Sequence, residues 1–216
     1  MIISMSEQKA GSLANVVCVT NRHLAAAAAG IEDADSLAGR AAFLAQMRRV
    51  VGAHPRAVIL REKDLDEASY RALARDVLAI CRKADIPCIL HTYATVAMEL
   101  GADGLHLPLP LLAKQGIGLR SQFRVLGASC HSVQDVIEAQ ALGATYATVG
   151  HIYVTDCKPG VPPRGLAVLR ECVQAATIPV YAIGGITRTR LTDVLATGAA
   201  GACVMSGLMR GKPPTW

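Results

Sequence analysis

The segment 178-IPVYAIGGITRTRLTDVLATGAAGACVMSG-207 decides how the rest of the chain is read. Pro179 to Ile183 is a short apolar run with β-branched and aromatic members and no alternation, as expected of a strand covered on both faces. Gly184 and Gly185 follow at once, where backbone can approach a ligand without a Cβ in the way. Thr187 stands ready to cap a helix over residues 188–196, which Gly198 closes. Gly201 to Met205 reads as a second buried strand, and Ser206-Gly207 lies at its C-terminal end. Two successive strands ending in Gly-Gly and Ser-Gly match the phosphate cradle that the last two loops of a (β/α)₈ barrel build. Gly184, Gly185, Ser206 and Gly207 are therefore the expected phosphate-binding positions, with backbone N–H groups holding the anion.

Working outward, the 216 residues suit one domain of this type. An apolar share of 52% with only 4% aromatic residues points to the Ala/Val/Leu/Ile interior of a parallel sheet. The formal charge of +5 favours anionic ligands, yet no basic run or basic–aromatic interleaving suggests nucleic acid. Seven cysteines without a C-x-x-C pair suit reduced thiols and a cytoplasmic protein better than a disulfide or zinc framework. No apolar run reaches membrane-spanning length. Neither a membrane nor nucleic acid is an expected partner, and self-association is left open.

Taken in order, residues 1–14 read as a loose leader and residues 15–216 as the barrel domain. Val16 to Thr20 is the first strand, followed by an Ala-rich connection and a helix capped by Ser36, with Leu37, Ala41, Leu44 and Met47 on its inner face. Ala57 to Leu60 is the second strand. Arg61-Glu62-Lys63 stands at its C-terminal end, the edge where barrel ligands bind, and Arg61 and Lys63 are expected to contact substrate. Asp66 caps the next helix; the third strand ends at His91, the fourth at Leu107, the fifth at Ser129 and the sixth at Gly150. Residues 151–165, HIYVTDCKPGVPPRG, are longer than a strand-to-helix loop requires, and loops of that length on this face usually cover a ligand. The chain stops soon after the eighth strand, so the eighth helix is short or missing. The expected fold is a single-domain (β/α)₈ TIM barrel.

The segments VGHIYVTDCKPGVPPRGL, IGGI, VMSG, LREK and GASCHS together resemble the thiazole tautomerase (TenI) family of the thiamin phosphate synthase superfamily, over about residues 15–210. The TDCK and S-x-H-S segments point towards the tautomerase branch. That resemblance implies an isomerase of thiamin biosynthesis that aromatises a carboxythiazole phosphate by proton transfer, with no cofactor and no metal. It implies His131 as the catalytic acid/base, a group that ordinarily titrates near neutrality. Lys158 of TDCK and His91 join Arg61 and Lys63 as substrate-binding residues, and the expected partner is a small thiazole phosphate.

Two alternatives remain. Thiamin phosphate synthases join a pyrimidine diphosphate to a thiazole phosphate and need Mg²⁺ for the leaving diphosphate. Their third strand typically ends in Asn-Asp, and an acidic residue follows the His-Leu of the fourth. Here those places hold His91-Thr92 and Pro108-Leu109, without a carboxylate. The other alternative is a non-catalytic regulatory protein that binds a phosphorylated ligand. Of the remaining histidines, His106 reads as a satisfied barrel-core residue and His151 as a residue that shapes its loop. Adjacent residues of an extended segment face opposite ways, which argues against a Cys130–His131 dyad.

Overall fold

The computed structural model describes residues 13–115 and 117–211; most of the expected leader, and the last five residues, lie outside them. Eight parallel strands close into a barrel in sequence order: β1 Val16–Val19, β2 Ala57–Leu60, β3 Cys88–His91, β4 Gly104–Pro108, β5 Val125–Cys130, β6 Tyr146–Gly150, β7 Val180–Ile183 and β8 Gly201–Val204. Between β1 and β2 run α1 Arg22–Ala28 and α2 Leu37–Gly52. Then come α3 Glu67–Lys83, α4 Ala94–Glu99, α5 Leu109–Gln115, α6 Val133–Ala141, α7 Gly165–Ala175 and α8 Leu191–Leu195. After β8 the chain adds α9, Ser206–Arg210, only five residues long, as the sequence anticipates.

Local chemistry sets several helix starts. The side chains of Ser36, Asp66 and Ser132 accept the N–H of Gly39, Ser69 and Asp135, satisfying donors that a first helical turn leaves open. Asn21 does the same for α1 through the Leu24 N–H. Thr187 makes no such capping bond, and the helix expected over residues 188–196 is instead a 3₁₀ turn, Arg188–Arg190, followed by α8. The inner face of α2 also differs from expectation. Leu37 is 89% exposed, and the buried side chains are Phe43, Gln46, Met47, Val50 and Val51. The buried face runs instead through Gly39, Phe43, Met47 and Val50, a helical row two positions round from Leu37 and Ala41.

Side chains alternate across the strands. Cys18, Val58, Leu60, Leu90, Leu105 and Leu126 join the layer between barrel and helices. Val17, Val19, Ala57, Ile59, Ile89, Tyr146, Tyr181 and Cys203 fill the barrel itself. Near the N-terminal ends of the strands, Arg56 donates from Nε to the Tyr181 hydroxyl at 2.7 Å. The short α9 is gripped from outside: the buried Gln46 amide donates to the carbonyls of Leu208 and Gly211, at 2.5 and 3.0 Å.

Candidate active site

The inward parity of Ala57 and Ile59 carries on past the end of β2, so Arg61 and Lys63 lie towards the mouth while Glu62 turns outward. Glu62 is buried and takes the Thr20 hydroxyl at 2.6 Å and the Arg22 backbone N–H at 3.1 Å. The Arg22 guanidinium reaches Glu62 at 3.4 Å, Asp64 at 2.7 Å and Asp35 at 2.8 Å. Burial raises the Glu62 carboxyl above the usual range, against the pull of Thr20 and Arg22. These carboxylates knit the loops after β1 and β2 and are already committed to Arg22.

Burial, then Arg61, then Lys158 hold the Lys63 ammonium below its ordinary range. Burial likewise lowers the Arg61 guanidinium. Beneath them His91 and His106 stack, ring centroids 5.6 Å apart. Burial, His106, Arg61 and Lys63 push the His91 imidazole far down, and burial with the same two cations takes His106 to about 3. Both rings are therefore neutral, which leaves the positive charge of this region on Arg61 and Lys63. The Tyr70 hydroxyl of α3 bonds to β2 and β3 at once. It donates to the Leu60 carbonyl at 2.7 Å and accepts the His91 N–H at 2.9 Å, tying the strand ends that carry Arg61 and His91.

On the opposite wall His131 holds Gly150. Its Nδ1 lies 2.7 Å from the Gly150 carbonyl, which can only accept, so Nδ1 carries a proton and donates it. Arg164 donates from Nε to the same carbonyl at 3.2 Å. Cys130 points away, its sulfur directed at the Ala128 and Asp135 carbonyls, and forms no dyad with His131. His151 is buried, with Nε2 donating to Val161 at 3.1 Å across its own loop, the shaping role expected of it.

Gly184 and Gly185 have positive φ, +95° and +66°. What a Cβ would meet, however, is protein. At Gly184 it would fall 2.3 Å from the His151 Cβ, and at Gly185 2.4 Å from the Val154 carbonyl oxygen. The open approach expected from the sequence is thus filled by the loop after β6, which folds onto the turn: Ile152 and Tyr153 donate to the Ile183 and Gly184 carbonyls at 2.9 and 3.1 Å. Arg190 reinforces this packing, lying over the Tyr153 ring at 4.5 Å and donating to the Gly185 carbonyl at 2.7 Å. Ser206 and Gly207 begin α9 at the same end of the neighbouring strand.

Sequence reasoning overlooks Tyr70, Tyr146, Ser129, Arg164 and the Arg22 network. Strand parity offers a signal for Ser129, which shares the inward face of β5 with Gly127. Among the described residues no group of three or more His, Cys, Asp or Glu is arranged to hold a metal ion. Mg²⁺ prefers oxygen ligands, and the ends of β3 and β4 present His91-Thr92 and Pro108-Leu109. The residues present do not fit an ion held by protein carboxylates.

Fold and mouth together define a barrel of the kind that binds anionic small molecules at the C-terminal ends of its strands. The chain belongs to the thiamine monophosphate synthase (TMP-TENI) family, whose model matches residues 30–208. It is 34% identical over 158 residues to the thiamine-phosphate synthase of Clostridium novyi (strain NT), covering 71% of this chain and 76% of the relative. It is 36% identical over 163 residues to that of Roseiflexus castenholzii (strain DSM 13941 / HLO8), covering 73% and 70%. Among solved structures, the thiamine phosphate pyrophosphorylase from Pyrococcus furiosus superposes with a TM-score of 0.73 at 23% identity, over 94% of this chain and 90% of that one, a likeness of fold. The superfamily expectation therefore stands, and the chain is of an enzyme family.

The tautomerase expectation is corrected by the same relatives, which are named synthases. It rests on two short segments, TDCK and S-x-H-S, and on the missing carboxylates after β3 and β4, and similarity across more than 150 residues to relatives named synthases outweighs them. With it goes the isomerase assignment. Among the described residues no helix is long and apolar enough to cross a membrane.

Proposed function

We propose that this chain is a thiamine-phosphate-synthase-type transferase, joining a pyrimidine diphosphate to a thiazole phosphate with loss of diphosphate. The observation that carries the reading is the position of Arg61 and Lys63 just past the C-terminal end of β2, at the barrel mouth where His91 and His106 stack, a cationic edge suited to a leaving diphosphate. As the bond to the diphosphate breaks, negative charge grows on its oxygens, and fixed cations stabilise that change more than they stabilise the ground state. Gly184, Gly185, Ser206 and Gly207 form the proposed seat for the phosphate of the second substrate. Their glycines fix the turn rather than leave a bare surface, so backbone N–H groups nearby would do the holding. His91 borders the cations as a neutral contact. His131 presents Nε2 to the ligand as a hydrogen-bonding group, since condensation asks for no proton shuttle there.

The test is pyrophosphate release on mixing the pyrimidine diphosphate and thiazole phosphate with the protein, with and without added Mg²⁺. The reading expects one pyrophosphate per condensed product and a loss of about 10²-fold or more in Arg61→Gln. A specific observation favours a second reading, that of a non-catalytic binding protein: the ends of β3 and β4 lack carboxylates. Binding of both phosphorylated compounds without pyrophosphate release would select it and refute the transferase.

A further inference from the structure

Three consecutive peptide groups in the turn after β7 are held from one side. The Ile183 carbonyl accepts the Ile152 N–H at 2.9 Å, and the Gly184 carbonyl accepts the Tyr153 N–H at 3.1 Å. The Gly185 carbonyl accepts an Nη1 hydrogen of Arg190 at 2.7 Å. Two of these donors are main-chain groups of the loop after β6. The third is braced against that loop, because the Arg190 guanidinium lies 4.5 Å from the centre of the Tyr153 ring. The Tyr153 hydroxyl is buried and has no hydrogen-bond partner among the described residues, so it is the ring that Arg190 engages.

A trans peptide is planar, and its N–H points opposite to its C=O. Each carbonyl drawn towards the loop after β6 therefore turns the N–H of the following residue the other way. Those N–H groups belong to Gly184, Gly185 and Ile186. In the barrel β7 lies between β6 and β8, so the side facing away from the β6 loop is the side of β8, where Ser206 and Gly207 begin α9. An extended strand would alternate the direction of successive N–H groups. The positive φ of Gly184 and Gly185, +95° and +66°, breaks that alternation and lets neighbouring N–H groups form one concavity for an anion. Main chain fixes the first two of these peptides, whatever side chains residues 152 and 153 carry. The third, between Gly185 and Ile186, is fixed by a side chain, and so by this sequence.

We propose that Arg190, braced on the Tyr153 ring, is a positioning residue that aims the Ile186 N–H at an anionic phosphate oxygen seated between the turn after β7 and the start of α9. Arg190 acts through the peptide, not by touching the ligand. Its flat guanidinium suits both tasks, stacking on a ring while an edge N–H donates in its own plane. The proposal rests on the reading of this turn as a phosphate seat, and the experiment separates the two.

Inorganic phosphate titrated into ¹⁵N-labelled protein should move the amide protons of Gly184, Gly185 and Ile186 downfield as they bond to the anion. Arg190→Met should bind phosphate about tenfold more weakly, the effect of one charge-assisted hydrogen bond, and should lose the Ile186 shift while Gly184 and Gly185 still move. Arg190→Lys keeps the charge without the flat fork and should stay close to the Arg190→Met value. Tyr153→Leu, which removes no charge and keeps the Tyr153 N–H bond, should lose a similar amount, and Tyr153→Phe should restore it. The double variant Arg190→Met/Tyr153→Leu should be no weaker than either single one, because both release the same peptide. Full recovery in Arg190→Lys, an Ile186 shift that survives in Arg190→Met, or penalties that add in the double variant would each overturn the positioning role. Phosphate that leaves all three amides unmoved in the wild-type protein would refute the seat itself, and with it the role assigned to Arg190.

Discussion

Replacing Gly184 by alanine separates two demands that the turn after β7 makes at once. The backbone demand is φ +95°, where an L residue is strained by about 1–2 kcal/mol. The steric demand is the 2.3 Å approach of the new Cβ to His151 Cβ, beside the anchored base of the loop. Forcing that contact apart costs a further amount of about 1–3 kcal/mol, as other overpacked sites do. Gly184→Ala should therefore destabilise by about 2–5 kcal/mol, lowering Tm by roughly 4–20 °C for a chain of this size. Gly160, in the same loop, has φ +73°, and a Cβ added there would meet nothing within 4 Å, so Gly160→Ala faces the backbone demand alone. It should cost about 1–2 kcal/mol and roughly 2–8 °C. Both variants shed the same unfolded-chain freedom, so that contribution cancels in the comparison. Urea titration with a common m-value gives the difference directly. Equal losses in the two variants would refute the claim that the loop after β6 packs on Gly184.

Lys63→Gln should weaken inorganic pyrophosphate binding about tenfold, with a shallower salt dependence than the wild type, measured by calorimetry at two ionic strengths. His91 and His106 have folded values far below the ordinary 6.5. The unfolded chain therefore binds more protons, and stability should fall as pH drops below 6.5, by about 3 kcal/mol in total between pH 7.5 and 5.5. Glu62, raised by burial, acts in the opposite sense from the carboxylate range upward, as one group against two; a flat urea midpoint over this window would contradict the neutral histidine pair. Mg²⁺ titrated into the protein without diphosphate should give no saturable heat, whereas saturation at one ion per chain would reveal a site that the donor set does not suggest.

Much of the barrel is legible in the sequence because its strands are buried on both faces and so stand out as short apolar runs between capping residues and glycines. The place of Arg61 and Lys63 in the fold is legible too, since they follow directly on the apolar run of β2 and so stand at its C-terminal end. Glu62 is not, because its role depends on Arg22, 40 positions away. The Tyr146–His106 contact also spans 40 positions and passes over Gly127, which looks in the sequence like any strand glycine. At Gly184 and Gly185 the turn is foreseeable, but its occupant is not: the loop that fills the space begins more than 30 residues earlier. The enzyme branch is not legible in TDCK and S-x-H-S, because a few loop residues weigh less than similarity along most of the chain.

The loop after β6 is closed at its own base. Arg164 and Gly165 donate to the carbonyls of His151 and Ile152 at 2.9 and 3.1 Å, while Ile152 and Tyr153 are pinned to the turn after β7. Residues 154–163 therefore form a cassette whose two ends are held together by the barrel, whatever the sequence between them. Exchanging that cassette for one from a relative, with residues 151–153 and 164–165 left in place, should alter which ligand is embraced without disturbing the wall on which it is mounted. Selectivity in this chain can then drift, or be engineered, by a change confined to about ten consecutive positions.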